Sequence, residues 1–421
     1  MRIYFHTFGC KTNQYDTEAV RQALESAGAV SVDAPEHADV AVVNSCTVTH
    51  VGEAKMRSFV RRLHRRQPEL DTVVMGCAAA LDDGTIAGLP GVTSVLGGVD
   101  PAAVMDAVGL AAEPVDPILR TFPRGARAWV KIQDGCDEHC TFCATTVARG
   151  DNRSRPIDEI VREARVLGAH HQEIVLTGVH IGTYGRDLHP AASLGTLVEE
   201  LVVRAPGPRF RLSSVEATEV DERLMELLTG VPDRLASHLH APLQSGSDRV
   251  LRRMGRHWYT NASYRSRCEA LAARLPTFGL GADVIVGFPG ETDEDHRATF
   301  SLIEDLPFTY LHVFPYSERP DASSQRIGPP VQPAVVTARA AGLRDLADRK
   351  AAAYRERRDG AMADVVVLGR SRGRVRGLTE DFLDVGFPAD RRHAPRCIAT
   401  LHYTPEGTLE AEPATGREHV A

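Results

Sequence analysis

The stretch Gly135-Cys136-Asp137-Glu138-His139-Cys140-Thr141-Phe142-Cys143 sets three thiols in one short loop, separated by three and then by two residues. Thiolates gathered this tightly are metal ligands. A tetrahedral zinc site needs a fourth ligand, and His139 sits between two of the cysteines on a loop too short to swing it easily onto the same ion. An iron–sulfur cluster tolerates the vacancy: with three thiolates its fourth iron stays open to a substrate or cofactor. A zinc knuckle, or incidental thiols, are the alternatives at this spacing.

Three more cysteines share a different property. Arg2 to Phe8 alternates and ends at Gly9-Cys10, Asp39 to Ser45 is an apolar run ending at Cys46, and Thr72 to Gly76 ends at Cys77. Helical stretches, Asp16 to Ala27 and Val51 to Arg66, lie between these strands, which read as apolar on both faces. Strand–helix alternation predicts a doubly wound parallel sheet, and ligands of such sheets bind beyond the carboxyl ends of the strands, where all three cysteines fall. Cys10, Cys46 and Cys77 are therefore candidate ligands of a second cluster, against the alternative of three buried small residues. Cys268 and Cys397 have no partner motif and read as structural.

The elements that must position the first cysteine loop come after a proline-rich linker, 111–126, containing Pro114, Pro117 and Pro123. Six strand-like runs follow. The first, Ala128 to Ile132, leads into the cysteine loop, and five others end in polar or glycine-rich motifs: Thr177-Gly178-Val179-His180, Ser213-Ser214-Val215-Glu216, Pro242-Leu243-Gln244-Ser245-Gly246, Gly287-Phe288-Pro289-Gly290 and Pro315-Tyr316-Ser317. Six strand–helix units suggest an open or partial (βα)6 barrel with its site at the carboxyl ends of the strands. His238 and His240 share a strand face and read equally as packed interior residues. Glu216 and Asp283, at or near strand ends, each need a partner if buried.

The predicted fold class is α/β, in three parts: a sheet domain over 1–110, the barrel over 127–333, and, after a connecting helix over 334–358, a small β-barrel over 359–421. Two basic stretches could meet RNA phosphates. Arg57, Arg61 and Arg62 lie on a helix, where a solvated face is the commoner meaning; Arg370, Arg372, Arg374 and Arg376 alternate and would share a face if they lie on one strand, as would a charged edge strand.

Composition sets the outer bounds. The 421 residues are 43% hydrophobic and 25% charged, ordinary values for a globular protein, and the net charge of −7 argues against indiscriminate coating of nucleic acid. Eight cysteines with three clustered fit a reducing compartment better than a disulfide framework. With no apolar run long enough for a bilayer and a start that enters a strand pattern directly, the expectation is a cytoplasmic protein with no membrane partner.

The loop of Cys136, Cys140 and Cys143 is similar to that of the radical S-adenosylmethionine (SAM) enzymes, and the chain as a whole resembles the methylthiotransferases of that superfamily. Thr7 to Ala19 and Asn44-Ser45-Cys46-Thr47-Val48-Thr49 look most like the MtaB branch. The resemblance implies an amino-terminal domain with an auxiliary cluster, a radical SAM domain and a terminal RNA-binding TRAM domain. It implies two [4Fe-4S] clusters: Cys136, Cys140 and Cys143 would bind the one that cleaves SAM, and Cys10, Cys46 and Cys77 the one that supplies sulfur. Thr177, Gly178, Ser214, Glu216 and Gln244 would line the SAM pocket.

The implied reaction is methylthiolation at C2 of N6-threonylcarbamoyladenosine beside the tRNA anticodon, position 37. One SAM would give the methyl group and another the radical that removes hydrogen from C2, on a base held out of its stack. Implied partners are tRNA, an electron donor such as flavodoxin or ferredoxin, and a sulfur source. Other readings are action on N6-isopentenyladenosine or on a ribosomal-protein aspartate, and a non-catalytic metal-containing RNA-binding protein. The chain departs from the family's usual residues after Cys77 (Ala78-Ala79-Ala80), after Cys143 (Ala144-Thr145-Thr146) and at Arg319-Pro320-Asp321-Ala322-Ser323.

Overall fold

The computed structural model describes the chain apart from residues 48–49, 112–115, 124, 320–321, 372, 389–392 and 415–421. Pro114, Val48, Thr49, Pro320, Asp321 and Arg372, singled out above, lie outside the described residues.

The amino-terminal unit is a parallel sheet of β1 (Arg2–Thr7), β2 (Val30–Val32), β3 (Val40–Ser45), β4 (Asp71–Gly76) and β5 (Val92–Gly97), in the order β2-β1-β3-β4-β5. Val20 and Leu24 of α1 (Lys11–Ser26) and Val104 and Met105 of α3 (Pro101–Ala107) pack with Ile3, Val42 and Val73 on one face. Met56 and Val60 of α2 (His50–Arg66) pack with Val43 and Val74 on the other. Helices on both faces make the sheet doubly wound. Only β3 and β4 are buried along nearly their whole length; β1 is half exposed, and the short β2 and β5 were not legible as strands. Helix α1 begins five residues before the predicted start, with Cys10 as its N-cap.

The second unit contains six parallel strands, β6 (Arg127–Lys131), β9 (Glu173–Thr177), β10 (Arg209–Leu212), β11 (His238–His240), β12 (Gly279–Val286) and β13 (Tyr310–Pro315). A minor ribbon of β7 (Gln133–Asp134) and β8 (Arg153–Ser154) lies beside the cysteine loop. The strands form two sheets, β6-β9-β10 and β11-β12-β13, joined by single bridges Phe210–Leu235 and Ser214–His240. This is the open six-stranded barrel of the sequence reading.

Alternation along these strands sorts the side chains by face. Ala128, Val130, Ile174, Leu176, Phe210, Leu212, Leu239, Leu280, Ala282 and Val284 pack outward under the helices. The opposite face carries Arg127, Glu173, Arg209, Arg211, His238, His240, Asp283, Tyr310 and His312, so the lumen is polar.

The linker is less free than its prolines suggest: Gln22 donates to the Ile118 carbonyl at 2.8 Å and the Leu119 amide donates to Glu163 at 2.8 Å. After α11 (Pro333–Arg357), five strands close a barrel in the order β14-β15-β16-β18-β17: β14 (Met362–Ser371), β15 (Arg374–Leu378), β16 (Asp384–Phe387), β17 (Arg396–Tyr403) and β18 (Leu409–Pro413). Arg370 lies next to the end of β14 while Arg374 and Arg376 lie on β15, paired antiparallel to it. A hairpin therefore splits the arginine series, because Gly373 takes φ +81° and turns the chain. Among the described arginines, Arg370 therefore stands on one strand and Arg374 and Arg376 on the next.

This small barrel also seals the lower end of the large one. Arg209 and Arg211, almost wholly buried, donate to the carbonyls of Asp364 (2.7 Å), Thr379 (2.8 Å) and Glu380 (3.0 Å), while both bind Glu173. Phe382 inserts its ring 4.4 Å from that of His238 and 5.3 Å from that of Tyr310. Its φ of +70° is costly for an aromatic residue and is held by these contacts. Among the described residues, no helix is long and apolar enough to cross a membrane.

Candidate active site

Cys10, Cys46 and Cys77 lie at the carboxyl ends of β1, β3 and β4 and converge on Asn13 of α1. The Asn13 Oδ1 accepts from Cys10 Sγ at 3.7 Å and from Cys77 Sγ at 3.9 Å, while its amide donates to the carbonyls of Phe8 and Ser45 at 2.9 Å. Gly9, with φ +107°, lets Cys46 approach: a Cβ there would lie 3.0 Å from Cys46 Sγ. Burial pushes the Cys77 thiol up to about 11 even with Arg149 opposing it.

Cys136, Cys140 and Cys143 follow β6 and the Gln133–Asp134 ribbon. Cys136 Sγ lies 3.6 Å from His180 Nδ1, and His180 is paired with Glu219 at 2.9 Å. Burial opposes charge on His180, but the bonds to Cys136 and Glu219 carry its pKa up to about 10. Arg256 donates to Cys140 Sγ at 3.4 Å, and Cys143 Sγ lies 3.0 Å from Thr145 Oγ1. Burial pushes Cys140 up to about 12. All eight cysteines are free thiols.

One residue spans the two sets. Arg149, at the end of α4 (Thr145–Arg149), donates to Cys77 Sγ at 3.1 Å, to Asn13 Oδ1 at 2.8 Å, to Asp16 at 2.8 Å and to Asp134 at 3.0 Å. Lys131 also binds Asp16 and Asp134, so a four-charge cluster fixes α1 against the mouth of the barrel. Thr12 extends the seam, donating to the Gly178 carbonyl at 3.2 Å and lying 3.5 Å from Thr177 Oγ1.

The remaining strand-end candidates divide. Thr177 and Gly178 sit in that seam, Ser214 is exposed and bridges to His240 through backbone, and Gln244 bridges to Val284 with φ +61°, a strained conformation outside glycine. The need of Glu216 for a partner is met within the chain, by Arg256 and by Trp258 Nε1. That of Asp283 is met by His240 and His312, each 3.1 Å from Oδ1. His238 and His240 both bond the Tyr310 hydroxyl, at 2.8 and 3.0 Å.

Among the arginines, Arg57 pairs with Glu53 at 3.8 Å, Arg61 is exposed, Arg62 lies over the Phe59 ring, Arg374 pairs with Glu410 and Arg376 with Asp384, while Arg370 is exposed at the strand end. The two groups stand on different units of the fold.

Residues 130–303 match the Radical SAM superfamily, and residues 2–97 match Uncharacterized protein family UPF0004. Over 382 residues the chain is 37% identical to the threonylcarbamoyladenosine tRNA methylthiotransferase MtaB of Bacillus subtilis, covering 86% of this chain and 84% of that one. The chain belongs to the radical SAM methylthiotransferases. The namesake from Aquifex aeolicus is 32% identical, covering 91% of this chain and 96% of its own. A tRNA-2-methylthio-N(6)-dimethylallyladenosine synthase of Sorangium cellulosum is 35% identical, covering 89% and 83%. The radical SAM methyltransferase TsrM of Kitasatospora setae shares the fold, with a TM-score of 0.57 at 15% identity, covering 75% of this chain and 74% of TsrM.

Members of this methylthiotransferase family use a [4Fe-4S] cluster and SAM. The donor chemistry here fits: three thiols free of disulfides in one loop, with Arg256 placed beside Cys140 to balance the thiolate charge that ligation creates.

Sequence reasoning missed Arg149, Asn13, Asp16, Asp134 and Arg256. The one signal available was the position of Arg149 six residues after Cys143, without a cue that it would reach Cys77.

Proposed function

We propose that this chain methylthiolates C2 of N6-threonylcarbamoyladenosine at position 37 of tRNA, in the cytoplasm. The observation that carries the reaction type is Arg149: a residue anchored just beyond one set of three thiols bonds a thiol of the other, so both sets serve one mouth. The nucleoside follows the names of the MtaB relatives.

Cys136, Cys140 and Cys143 would hold one cluster, whose chemistry is the one-electron splitting of SAM, and Cys10, Cys46 and Cys77 would hold a second, whose chemistry is the supply of sulfur. The chain's own groups do the rest. Arg256 and His180, each with a carboxylate behind it, place positive charge beside Cys140 and Cys136 and orient the loop. Thr177, Gly178, Ser214, Glu216 and Gln244 form the rim on which SAM rests. The Phe382 plug keeps water from entering the lumen from below, which protects a radical reaction. A flavodoxin or ferredoxin would deliver electrons, and a separate sulfur source would restore the donor. Arg370, Arg372, Arg374 and Arg376, with Arg57, Arg61 and Arg62, are the candidate phosphate contacts.

The test is nucleoside analysis. Reconstituted protein with dithionite, SAM and an RNA stem-loop carrying N6-threonylcarbamoyladenosine should yield the 2-methylthio product, and tRNA from a strain lacking the gene should lose it. Unchanged product in that strain would overturn the assignment.

A further inference from the structure

The polar lumen asks for an occupant that the radical chemistry does not. Its lower wall holds a cation excess: Arg127, Arg209 and Arg211 all bind the Glu173 carboxylate, at 2.7, 2.7 and 2.9 Å, and Arg209 also pairs with Asp364 at 3.0 Å, so three guanidiniums share two carboxylates. Lys11, next in sequence to Cys10, enters this field, where Arg127, Arg211 and Glu173 are the charges that act on it most. Among the described residues no hydrogen bond or ion pair holds its amine, and Glu173 is already taken.

Two buried atoms nearby lack partners: Arg127 Nη2 and His238 Nδ1. Buried polar atoms are nearly always bonded, so these two, with the unpartnered amine of Lys11 close enough to act on His238, mark a ligand's place. The proton count sharpens this. The Asp283 carboxylate is an acceptor, so His240 Nε2 carries a proton toward it. With the Tyr310 hydroxyl donating to His240 Nδ1, its oxygen accepts from His238 Nε2. His238 Nδ1 is thereby left as a bare acceptor. Burial, with Arg211 and His240 nearby, keeps His238 neutral. Gly281 lets the Tyr310 ring lie directly over the strand, where a Cβ would be 2.0 Å from it, and so sets the hydroxyl between the two histidines.

Spare N–H donors on one side and a bare acceptor on the other match a group bearing both a carboxylate and a hydroxyl. We propose that the barrel lumen is the subsite for the N6 substituent of the substrate adenine, with Lys11 and Arg127 meeting its carboxylate and His238 its hydroxyl. This rests on the reading of threonylcarbamoyladenosine as substrate, since a threonyl group joined through its nitrogen keeps both functions. The same lumen rejects a dimethylallyl group, which would leave these polar groups desolvated and unpaired.

The experiment uses three RNA stem-loops, bearing the threonylcarbamoyl group, its carboxylate methyl ester, or a dimethylallyl group. Their affinities are measured on reconstituted wild type and on Lys11→Met, with iron content checked in both. Wild type should bind the acid about tenfold or more tighter than the other two, as expected for a charged hydrogen bond. Lys11→Met should keep the wild-type affinity for the ester and lose most of the preference for the acid, with Arg127 alone left to meet the carboxylate. Equal wild-type affinity for acid and ester, or a preference undiminished in Lys11→Met, overturns the subsite while leaving the proposed reaction standing. Wild type that methylthiolates only the dimethylallyl RNA overturns the substrate reading, and the subsite with it.

Discussion

The guanidinium of Arg149 lies 3.1 Å from the thiol of Cys77, although one belongs to the barrel and the other to the amino-terminal sheet. Asp16 and Asp134 hold Arg149 from both units. Arg149→Met would leave two largely buried carboxylates sharing Lys131 alone. We expect a loss of about 3 kcal/mol in urea denaturation, the usual cost of breaking a buried pair. We also expect faster loss of iron to a chelator from the cluster on Cys77 than from the other.

Division of labour between the thiol sets is the second prediction. Cys140→Ala should form no 5′-deoxyadenosine from SAM, whereas Cys46→Ala should still form it while making no methylthiolated nucleoside. Equal loss of SAM cleavage in both variants would contradict the separation.

Metal content gives a third check. Anaerobically reconstituted wild type should carry about eight irons per chain, and a Cys10/Cys46/Cys77 triple-alanine variant about four, with Mössbauer spectra to match. Four in both would remove the second cluster.

Phe382 ties the terminal barrel to the lumen floor. Phe382→Ala removes a ring packed on His238, Tyr310 and Arg211, and should cost about 2 kcal/mol, less than a fully buried Phe→Ala because the ring is only partly enclosed. Thermal unfolding against wild type measures it.

A pH effect arises at the same junction. Burial, with the neighbouring charge of Asp381, pushes the Glu380 carboxyl up to about 7. A raised folded-state pKa means that folding favours the protonated form. Its contribution is full below the ordinary carboxylate range, and is lost as pH rises through about 7. The melting temperature of wild type should therefore fall relative to Glu380→Gln across that interval.

Much of the architecture was legible because it rests on local pattern. Apolar runs ending in Cys46 and Cys77 mark β3 and β4, and six strand-end motifs mark the barrel. The short β2 and β5 were not legible, since three to six residues of mixed exposure carry little periodicity. The arginine series misled because alternation persists across a tight hairpin, and only the φ of Gly373 separates Arg370 from Arg374 and Arg376. Cysteine spacing pointed to the candidate ligands, but Arg149, Lys11 and Phe382 act across long sequence separations that no local pattern encodes. Asp283 shows the same limit: strand-end position gave its need for a partner, and only register shows that His312 lies directly across from it.

The sealing of the lumen by residues 378–382 alters what a minimal enzyme can be. A vessel closed at one end keeps what enters it; cut the last segment away and the vessel becomes a pipe. A chain ending after α11 would keep all six candidate ligand cysteines, yet the base of its reaction chamber would open to bulk solvent. Exchanging this terminal segment with that of a relative would likewise reshape the chamber from beneath, so terminal barrel and chemical core are one inherited part.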